Sequence, residues 1–356
     1  MKTLKFPAKI KGRKVTKLGW SDYLREDEEF YHNIFGWGVE EAHGGDGYRT
    51  VLREIRNMTI PKSVKEITNC SFSGMRALKK VKLPDYLTAL SQSMFYGCED
   101  LKTVILPKKL KEFDKYVFDE CPSLATMKIS KANKRFAIKK GLVLSKDGKT
   151  LIWVLPTKEK VTIPNKVVCI KPNAFLHCCA EKLFLPASVT TLEEWALYAP
   201  TVMNIRVDSR NPVYARDGQC IYNKNTGELA AAIVKDKKIV ISPKVTVLND
   251  NGTIVGASVV EHLERIDIPA SVTRLETYWM FLDDMYCKVY FHSLTPPQIN
   301  EIIPDYYGCE VWWCFNSGVY VPAESKEAYE QWAKKYFRYA DDIPGDELGY
   351  LRLYTF

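Results

Sequence analysis

The sequence predicts an α/β, β-rich fold: a right-handed solenoid of short coils that ends in a capping helix. The first observation behind this prediction is that prolines recur 23 residues apart, at Pro61, Pro84 and Pro107. The second is that apolar residues recur at fixed distances from each proline. A repeat of roughly 20 to 29 residues is typical of solenoids, because one coil cannot bury its apolar side alone and neighbouring coils stack into a continuous core.

Four apolar columns define the coil, and they stand one residue before the proline and three, six and eleven residues after it. Across six windows the columns read Ile60, Leu83, Leu106, Ile163, Leu185 and Ile268; Val64, Leu87, Leu110, Val167, Val189 and Val272; Ile67, Leu90, Phe113, Ile170, Leu192 and Leu275; and Phe72, Phe95, Phe118, Phe175, Leu197 and Met280. The alternation before each proline predicts a short strand, which ends there because proline has no N–H to donate to a sheet. The pattern therefore predicts coils of about 23 residues, each with a strand, a turn and a return arm.

The fourteenth position after the proline accounts for several of the ten cysteines. It holds Met75, Cys98, Cys121 and Cys178. Because cysteine behaves as a small buried hydrophobe, we expect free thiols packed in the core. The chain has no C-x-x-C pair, and its histidines lack the spacing of a metal site. The sequence therefore predicts no metal site and no cofactor.

The repeat resembles the BspA-like leucine-rich repeats of bacterial surface proteins. The residues that carry this resemblance are Leu83-Pro84, Leu87, Leu90, Phe95, Gly97-Cys98 and Leu101, with their equivalents in the other windows. The resemblance implies a leucine-rich-repeat solenoid that acts as a non-enzymatic recognition module, secreted or at the cell surface. It implies host or bacterial surface proteins, matrix components or acidic glycans as partners of a monomer. A scaffold element of a cell-envelope assembly is the alternative.

We expect one domain over residues 1–356, with variations on the repeat along it. An imperfect first coil spans 1–24, an acidic and aromatic insertion 25–50, and regular repeats 51–130. Segments 131–164 and 211–243 resemble each other, and each holds two apolar runs around a turn with glycine, which predicts a hairpin. Residues 319–356 are expected to supply a strand and a helix that cap the last coil. In that helix Ser325 can cap the N-terminus, and apolar residues fall three or four apart.

Composition excludes several classes of protein. The 356 residues include 46% hydrophobic and 26% charged side chains, which is ordinary for a folded soluble protein. No apolar run approaches the roughly 18 to 20 residues of a membrane-spanning helix, and the first residues show no export signal. No nucleotide-binding, metalloprotease or hydrolase motif is present, so we expect no enzyme.

The outward side of the strands is the candidate binding surface. Residues two and four before each proline point away from the core, because side chains alternate along a strand. These positions are rich in Lys and Thr, and the net charge of +8 favours acidic partners. The candidate binding residues are Lys80, Lys82, Lys128, Lys160, Lys182, Phe184 and Arg265. Aromatic side chains are expected to be sparse on this side, so we expect no nucleic acid partner. A merely solvated sheet is the alternative interpretation.

Overall fold

The structure is a computed structural model. It describes residues 2–5, 9–10, 13–15, 17–18, 54–114, 116–157, 160–199, 201–249, 253–255, 263–276, 287–299, 318–336 and 353–356. The chain forms two compact units: unit 1 contains residues 1–158 and 177–179, and unit 2 contains 159–176 and 180–356. Each unit is a parallel β-solenoid, which confirms the predicted fold class. The predicted insertion at 25–50, Met280 of the fourth column and residues 337–352 of the predicted cap lie outside the described residues.

Unit 1 consists of short strands connected by turns. They are β1 (Lys2–Lys5), β2 (Lys9–Ile10), β3 (Arg13–Lys14), β4 (Lys17–Leu18), β5 (Ile55–Thr59), β6 (Glu66–Ile67), β7 (Lys80–Lys82), β8 (Ala89–Leu90), β9 (Thr103–Ile105), β10 (Glu112–Phe113), β11 (Thr126–Lys128), β12 (Phe136–Lys139), β13 (Leu142–Ser145) and β14 (Thr150–Val154). The main sheet is parallel, in the order β1-β5-β7-β9-β11. The first coil stacks on the second, because β1 pairs with β5 and β4 pairs with β6.

Unit 2 repeats this plan. Its strands are β15 (Cys169–Ile170), β16 (Lys182–Leu185), β17 (Thr191–Leu192), β18 (Asn204–Val207), β19 (Tyr214–Asp217), β20 (Cys220–Asn223), β21 (Leu229–Ile233), β22 (Lys238–Val240), β23 (Val247–Leu248), β24 (Thr253–Val255), β25 (Arg265–Ile268), β26 (Arg274–Leu275), β27 (Lys288–Phe291), β28 (Gln298–Ile299), β29 (Val319–Val321) and β30 (Leu353–Thr355). Its main sheet is β22-β25-β27-β29-β30, and a shorter sheet pairs β16 with β18. All of these pairs are parallel.

The apolar columns form the core, as the spacing predicts. Phe72, Phe95 and Phe118 are fully buried, and their ring centroids lie 5.3 and 5.5 Å apart along the stack. The turn after each proline has one geometry, in which the apolar residue three positions later donates its N–H to the proline carbonyl. In this way Leu87 donates to Pro84 at 3.2 Å. The same bond occurs at Pro61, Pro107, Pro164, Pro186 and Pro269. The column three residues after the proline is therefore set by a local turn and by burial.

The two longer segments each form a hairpin at the expected turn, with one more antiparallel strand than the sequence predicts. Strands β12, β13 and β14 form one meander, and β19, β20 and β21 form the other. A buried asparagine begins each. Asn133 donates to the carbonyls of Lys108 and Leu110 and accepts two N–H groups. Asn211 forms the same four bonds, with Pro186 and Val189 as acceptors.

The C-terminal helix α1 (Lys326–Tyr336) follows a 3-10 turn at Ala323–Ser325. It buries Tyr329, Trp332 and Ala333 against unit 2. The indole N–H of Trp332 donates to the Pro297 carbonyl at 2.6 Å. Ser325 stands directly before the helix, and its hydroxyl donates to the Pro322 carbonyl. The helix therefore covers the apolar end of this core.

Candidate binding surfaces

The outward positions of the unit 1 sheet form two columns. One contains Thr3, Asn57, Lys80, Thr103 and Thr126, and the other contains Lys5, Thr59, Lys82, Ile105 and Lys128. The residue between the two columns is buried in the last three strands of this sheet, at Val81, Val104 and Met127. The alternation predicted from sequence thus places the lysines outward, and no Asp or Glu stands in either described column.

Within the part of the chain that the structure describes, the lysines of this surface form no ion pairs. Lys80, Lys82 and Lys128 are exposed, and among the described residues none of them forms an ion pair. Strand geometry separates Lys80 from Lys82 by about 7 Å, and the two strand spacings between β7 and β11 amount to about 10 Å. We call Lys5, Lys80, Lys82 and Lys128 the lysine surface. Lys5 was missed from sequence, although it stands two residues before Pro7 and the same rule applies to it.

In unit 2 the short sheet presents a second set of the candidate residues. Lys160 forms a parallel bridge with Lys182, and Phe184 pairs with Arg206 on the neighbouring strand. The side chains of all four residues are exposed, Phe184 to 42%. Arg206 was not predicted, because no proline follows β18 to set the register.

Arg265 differs from the lysines because its charge is already partnered. Its guanidinium donates two hydrogen bonds to the Asp267 carboxylate, at 2.7 and 2.6 Å, and lies 3.7 Å over the Tyr290 ring. The bond to Asp267 raises the pKa of Arg265. Burial raises the pKa of Asp267, but the hydrogen bonds from Arg265 and His292 outweigh burial and hold that pKa below its ordinary value. This pair has little net charge to offer a partner.

The expectation that aromatic side chains are sparse on the outward positions is wrong for the main sheet of unit 2. Tyr290, Tyr320 and Tyr354 are in register on β27, β29 and β30. Their ring centroids lie 4.4 and 5.0 Å apart, with interplanar angles of 13° and 21°. Tyr320 stands two residues before Pro322, so the sequence rule could have found it.

The buried cysteines have a structural role in unit 1. The Cys98 thiol donates to the Phe72 carbonyl at 3.2 Å, and the Cys121 thiol donates to the Phe95 carbonyl at 3.1 Å. Burial raises the pKa of Cys98 well above its ordinary value, so the thiol stays protonated and unreactive. Within the described part of the chain, no group of three or more His, Cys, Asp and Glu side chains is placed to hold a metal ion.

The sheets, the turns after proline and the outward surfaces define a leucine-rich-repeat protein. Residues 51–139 and 157–226 match the family model of the BspA type leucine rich repeat region in six copies. The chain therefore carries BspA-type repeats, which confirms the resemblance. Repeats of this kind indicate a protein-interaction module and are not known as enzymes.

Solved structures that are similar to the chain include the following three. A leucine rich cell surface protein from Faecalibacterium prausnitzii is 21% identical over 63% of this chain and 62% of its own, with a TM-score of 0.41. The pneumococcal vaccine antigen PcpA is 15% identical over 97% and 89%, with a TM-score of 0.44. A leucine-rich repeat protein from Eubacterium ventriosum is 17% identical over 69% and 66%, with a TM-score of 0.37. The chain thus spans less than two thirds of the first and third of these structures.

No curated protein matches the chain. Within the described residues, no helix has the length and apolar character that crossing a membrane requires.

Proposed function

We propose that the chain is a non-enzymatic recognition module at the bacterial cell surface, and that the lysine surface of unit 1 binds an acidic protein. The observation that carries this proposal is a set of exposed lysines that form no ion pair among the described residues, on two described columns that hold no carboxylate. Unpaired charges of one sign on a flat sheet attract an oppositely charged partner and speed its association.

The core explains why this surface is suited to binding. The buried residues between the columns fix the strands, so the outward positions are held at regular spacings while their side chains meet solvent. Lysine side chains remain mobile, and ordering them on binding opposes affinity. We therefore expect affinity to depend on several lysines together and on ionic strength.

The test is a binding screen of the purified chain against extracellular-matrix proteins, with acidic glycans as a separate panel, at low and high salt. The variant Lys80→Glu, Lys82→Glu, Lys128→Glu is measured beside it. Its matched control is Lys108→Glu, Lys109→Glu, Lys111→Glu, which reverses three exposed lysines in the turn after β9. Both variants change the net charge equally, so a difference in affinity between them is due to the position of the lysines.

We expect the first variant to lose on the order of tenfold in affinity for an acidic protein, and the control to lose much less. Equal losses would mean that overall charge, and not this surface, attracts the partner. Binding to glycans alone would replace the protein partner by an acidic glycan. Binding to neither panel would favour a scaffold role.

A further inference from the structure

The tyrosine column of unit 2 belongs to a larger aromatic strip, which is half-buried at Tyr290 and Tyr320 and exposed beyond them. Phe356 lies beside it, with its ring centroid 5.6 Å from that of Tyr290 and 5.3 Å from that of His292. Tyr354 is 41% exposed and Phe356 52% exposed. Val240, in the same outward column of this sheet, is 52% exposed. We call Tyr290, Tyr320, Tyr354 and Phe356 the aromatic strip.

The stability of the sheet explains the placement of two of these rings but not the exposure of Tyr354 and Phe356. Stacking between neighbouring strands stabilises Tyr290 and Tyr320, since each ring covers its neighbour. Tyr354 is different, because among the described residues Tyr320 is its only ring neighbour. Contiguous apolar side chains that remain exposed mark interaction sites more often than isolated ones do.

The strip is ordered before any partner arrives. The Arg265 guanidinium covers one face of the Tyr290 ring at 3.7 Å, and Asp267 holds that guanidinium with two hydrogen bonds. His292 bonds the same carboxylate at 2.7 Å. A row of rings fixed in this way loses little conformational entropy on binding. Tyrosine and arginine are also enriched among the residues that contribute most to protein interfaces.

The geometry favours a polypeptide over a glycan as the partner. A sugar ring stacks on a free aromatic face, but Tyr290 is covered by Arg265 and Tyr320, and Tyr320 is covered by Tyr290 and Tyr354. What remains are ring edges, hydroxyl groups and the outer face of Tyr354. A polypeptide can meet this surface with one inserted side chain and with hydrogen bonds to the hydroxyls.

The other outward column of this sheet, which contains Lys238, Arg265 and Lys288, supplies positive charge. Lys238 and Lys288 are exposed at its two ends, on either side of Arg265. The Lys288 ammonium lies 5.9 Å from the centroid of the Tyr320 ring. Two copies of this surface would bring like charges together, so a second copy of the chain is disfavoured. An acidic polypeptide can pair its carboxylates with the two lysines while it contacts the tyrosine rings.

We propose that the aromatic strip, together with Lys288, binds an acidic polypeptide segment that places an aromatic side chain against the outer face of Tyr354. This site is independent of the lysine surface of unit 1. It adds a short-range, aromatic mode of recognition to a chain whose other candidate site acts through charge.

The test uses two probes: a random copolymer of glutamate and tyrosine, and polyglutamate of the same length. Their affinities for the full chain are measured by calorimetry in the Lys80→Glu, Lys82→Glu, Lys128→Glu background, so that the lysine surface does not contribute. The test variants are Tyr354→Ser with Phe356→Ser, and separately Lys288→Glu. The matched control is Leu294→Ser, which removes an apolar side chain that is 58% exposed in the turn after β27.

We expect the copolymer to bind about tenfold more tightly than polyglutamate. The double serine variant should abolish this preference, Lys288→Glu should weaken both probes, and Leu294→Ser should change neither. Thermal unfolding of each variant shows whether it is folded; if the double variant is not, Tyr354→Thr replaces it in the same comparison.

Equal affinity for the two probes, failure of both to bind, or a preference that survives loss of Tyr354 would overturn the proposal. So would a concentration-dependent dimer that the serine substitutions dissociate, because the strip would then be an interface between copies of the chain.

Discussion

The two five-stranded parallel sheets, one in each unit, are alike on the inside and different on the outside. Their inward residues are aliphatic and buried: Val81, Val104 and Met127 in unit 1, and Ile266, Val289 and Val319 in unit 2. Their outward residues are Lys and Thr in unit 1, and Tyr in the last strands of unit 2. The coil is therefore specified by its inward columns, which leaves the outward columns free to change their chemistry.

The difference also changes how each surface is organised. Parallel, in-register strands place equivalent side chains about 4.8 Å apart. The tyrosines stand on adjacent strands at that spacing, so they stack and order one another. Lys82 and Lys128 stand two strands apart with Ile105 between them, and each extends into solvent separately. We therefore expect recognition by the lysine surface to weaken strongly with salt, and recognition by the aromatic strip to depend on salt much less.

The largest effects should come from the inward columns, equally in both units. Phe95→Ala removes a ring stacked between Phe72 and Phe118, and Phe291→Ala removes one packed on Tyr329 and Trp332. Each should lower the free energy of unfolding by about 3 to 5 kcal/mol. Urea unfolding followed by circular dichroism measures the change.

The control for these variants is Phe184→Ala, since Phe184 is an outward residue of unit 2. It should cost less than about 1 kcal/mol. A cost for Phe95→Ala as small as that for Phe184→Ala would contradict the division into inward and outward columns.

The second largest effect concerns the buried asparagine at the start of the three-stranded meander in each unit. Asn133→Ala and Asn211→Ala each remove four hydrogen bonds and leave buried backbone groups without partners. We expect each to cost about 2 to 4 kcal/mol in urea unfolding, because unsatisfied buried polar groups are expensive.

Asn225→Ala is the matched control, because Asn225 is exposed in the turn of the second hairpin. It should change stability by less than about 1 kcal/mol. Clearly unequal costs at Asn133 and Asn211 would show that the two meanders are not held in the same way.

Sequence reasoning succeeded wherever a local rule fixes the structure. The proline spacing gave the inward columns, because the same turn follows each proline and burial selects the residues around it. It also gave the outward positions of Lys80, Lys82 and Lys128. The role of Asn133 and Asn211 was not visible, although both stand near the start of the two similar segments, since the carbonyls that accept their amide N–H groups lie in the preceding coil.

The aromatic strip was missed because it depends on long-range register. His292 stands where a proline would mark the end of β27, so Tyr290 carries no local sign of its orientation. Tyr354 lies on a strand far beyond the last proline of the repeat type, and nothing local shows that this strand joins β29. Only Tyr320, before Pro322, was within reach of the rule.

The smallest effect concerns the charged cluster of Arg265, Asp267 and His292 beside the aromatic strip. The lysine surface has no equivalent cluster among the described residues. Although burial raises the pKa of Asp267, its hydrogen bonds to Arg265 and His292 hold the pKa below the ordinary value of 3.8. A carboxylate with a lowered pKa in the folded state stabilises the fold above its unfolded pKa, and this contribution is lost as pH falls through the folded value. Unfolding in urea should therefore shift to lower urea concentration as the pH falls from about 5 to below 4.

Asp267→Asn should reduce this acid-induced shift, because its amide does not titrate. Asp100→Asn, which removes an exposed carboxylate of unit 1 that forms no ion pair among the described residues, should leave the shift unchanged. An identical acid response in wild type and Asp267→Asn would mean that the Arg265–Asp267–His292 cluster adds nothing to the stability of unit 2. The order of the aromatic strip would then have to come from ring stacking alone, and the two sheets would differ only in the side chains that they expose.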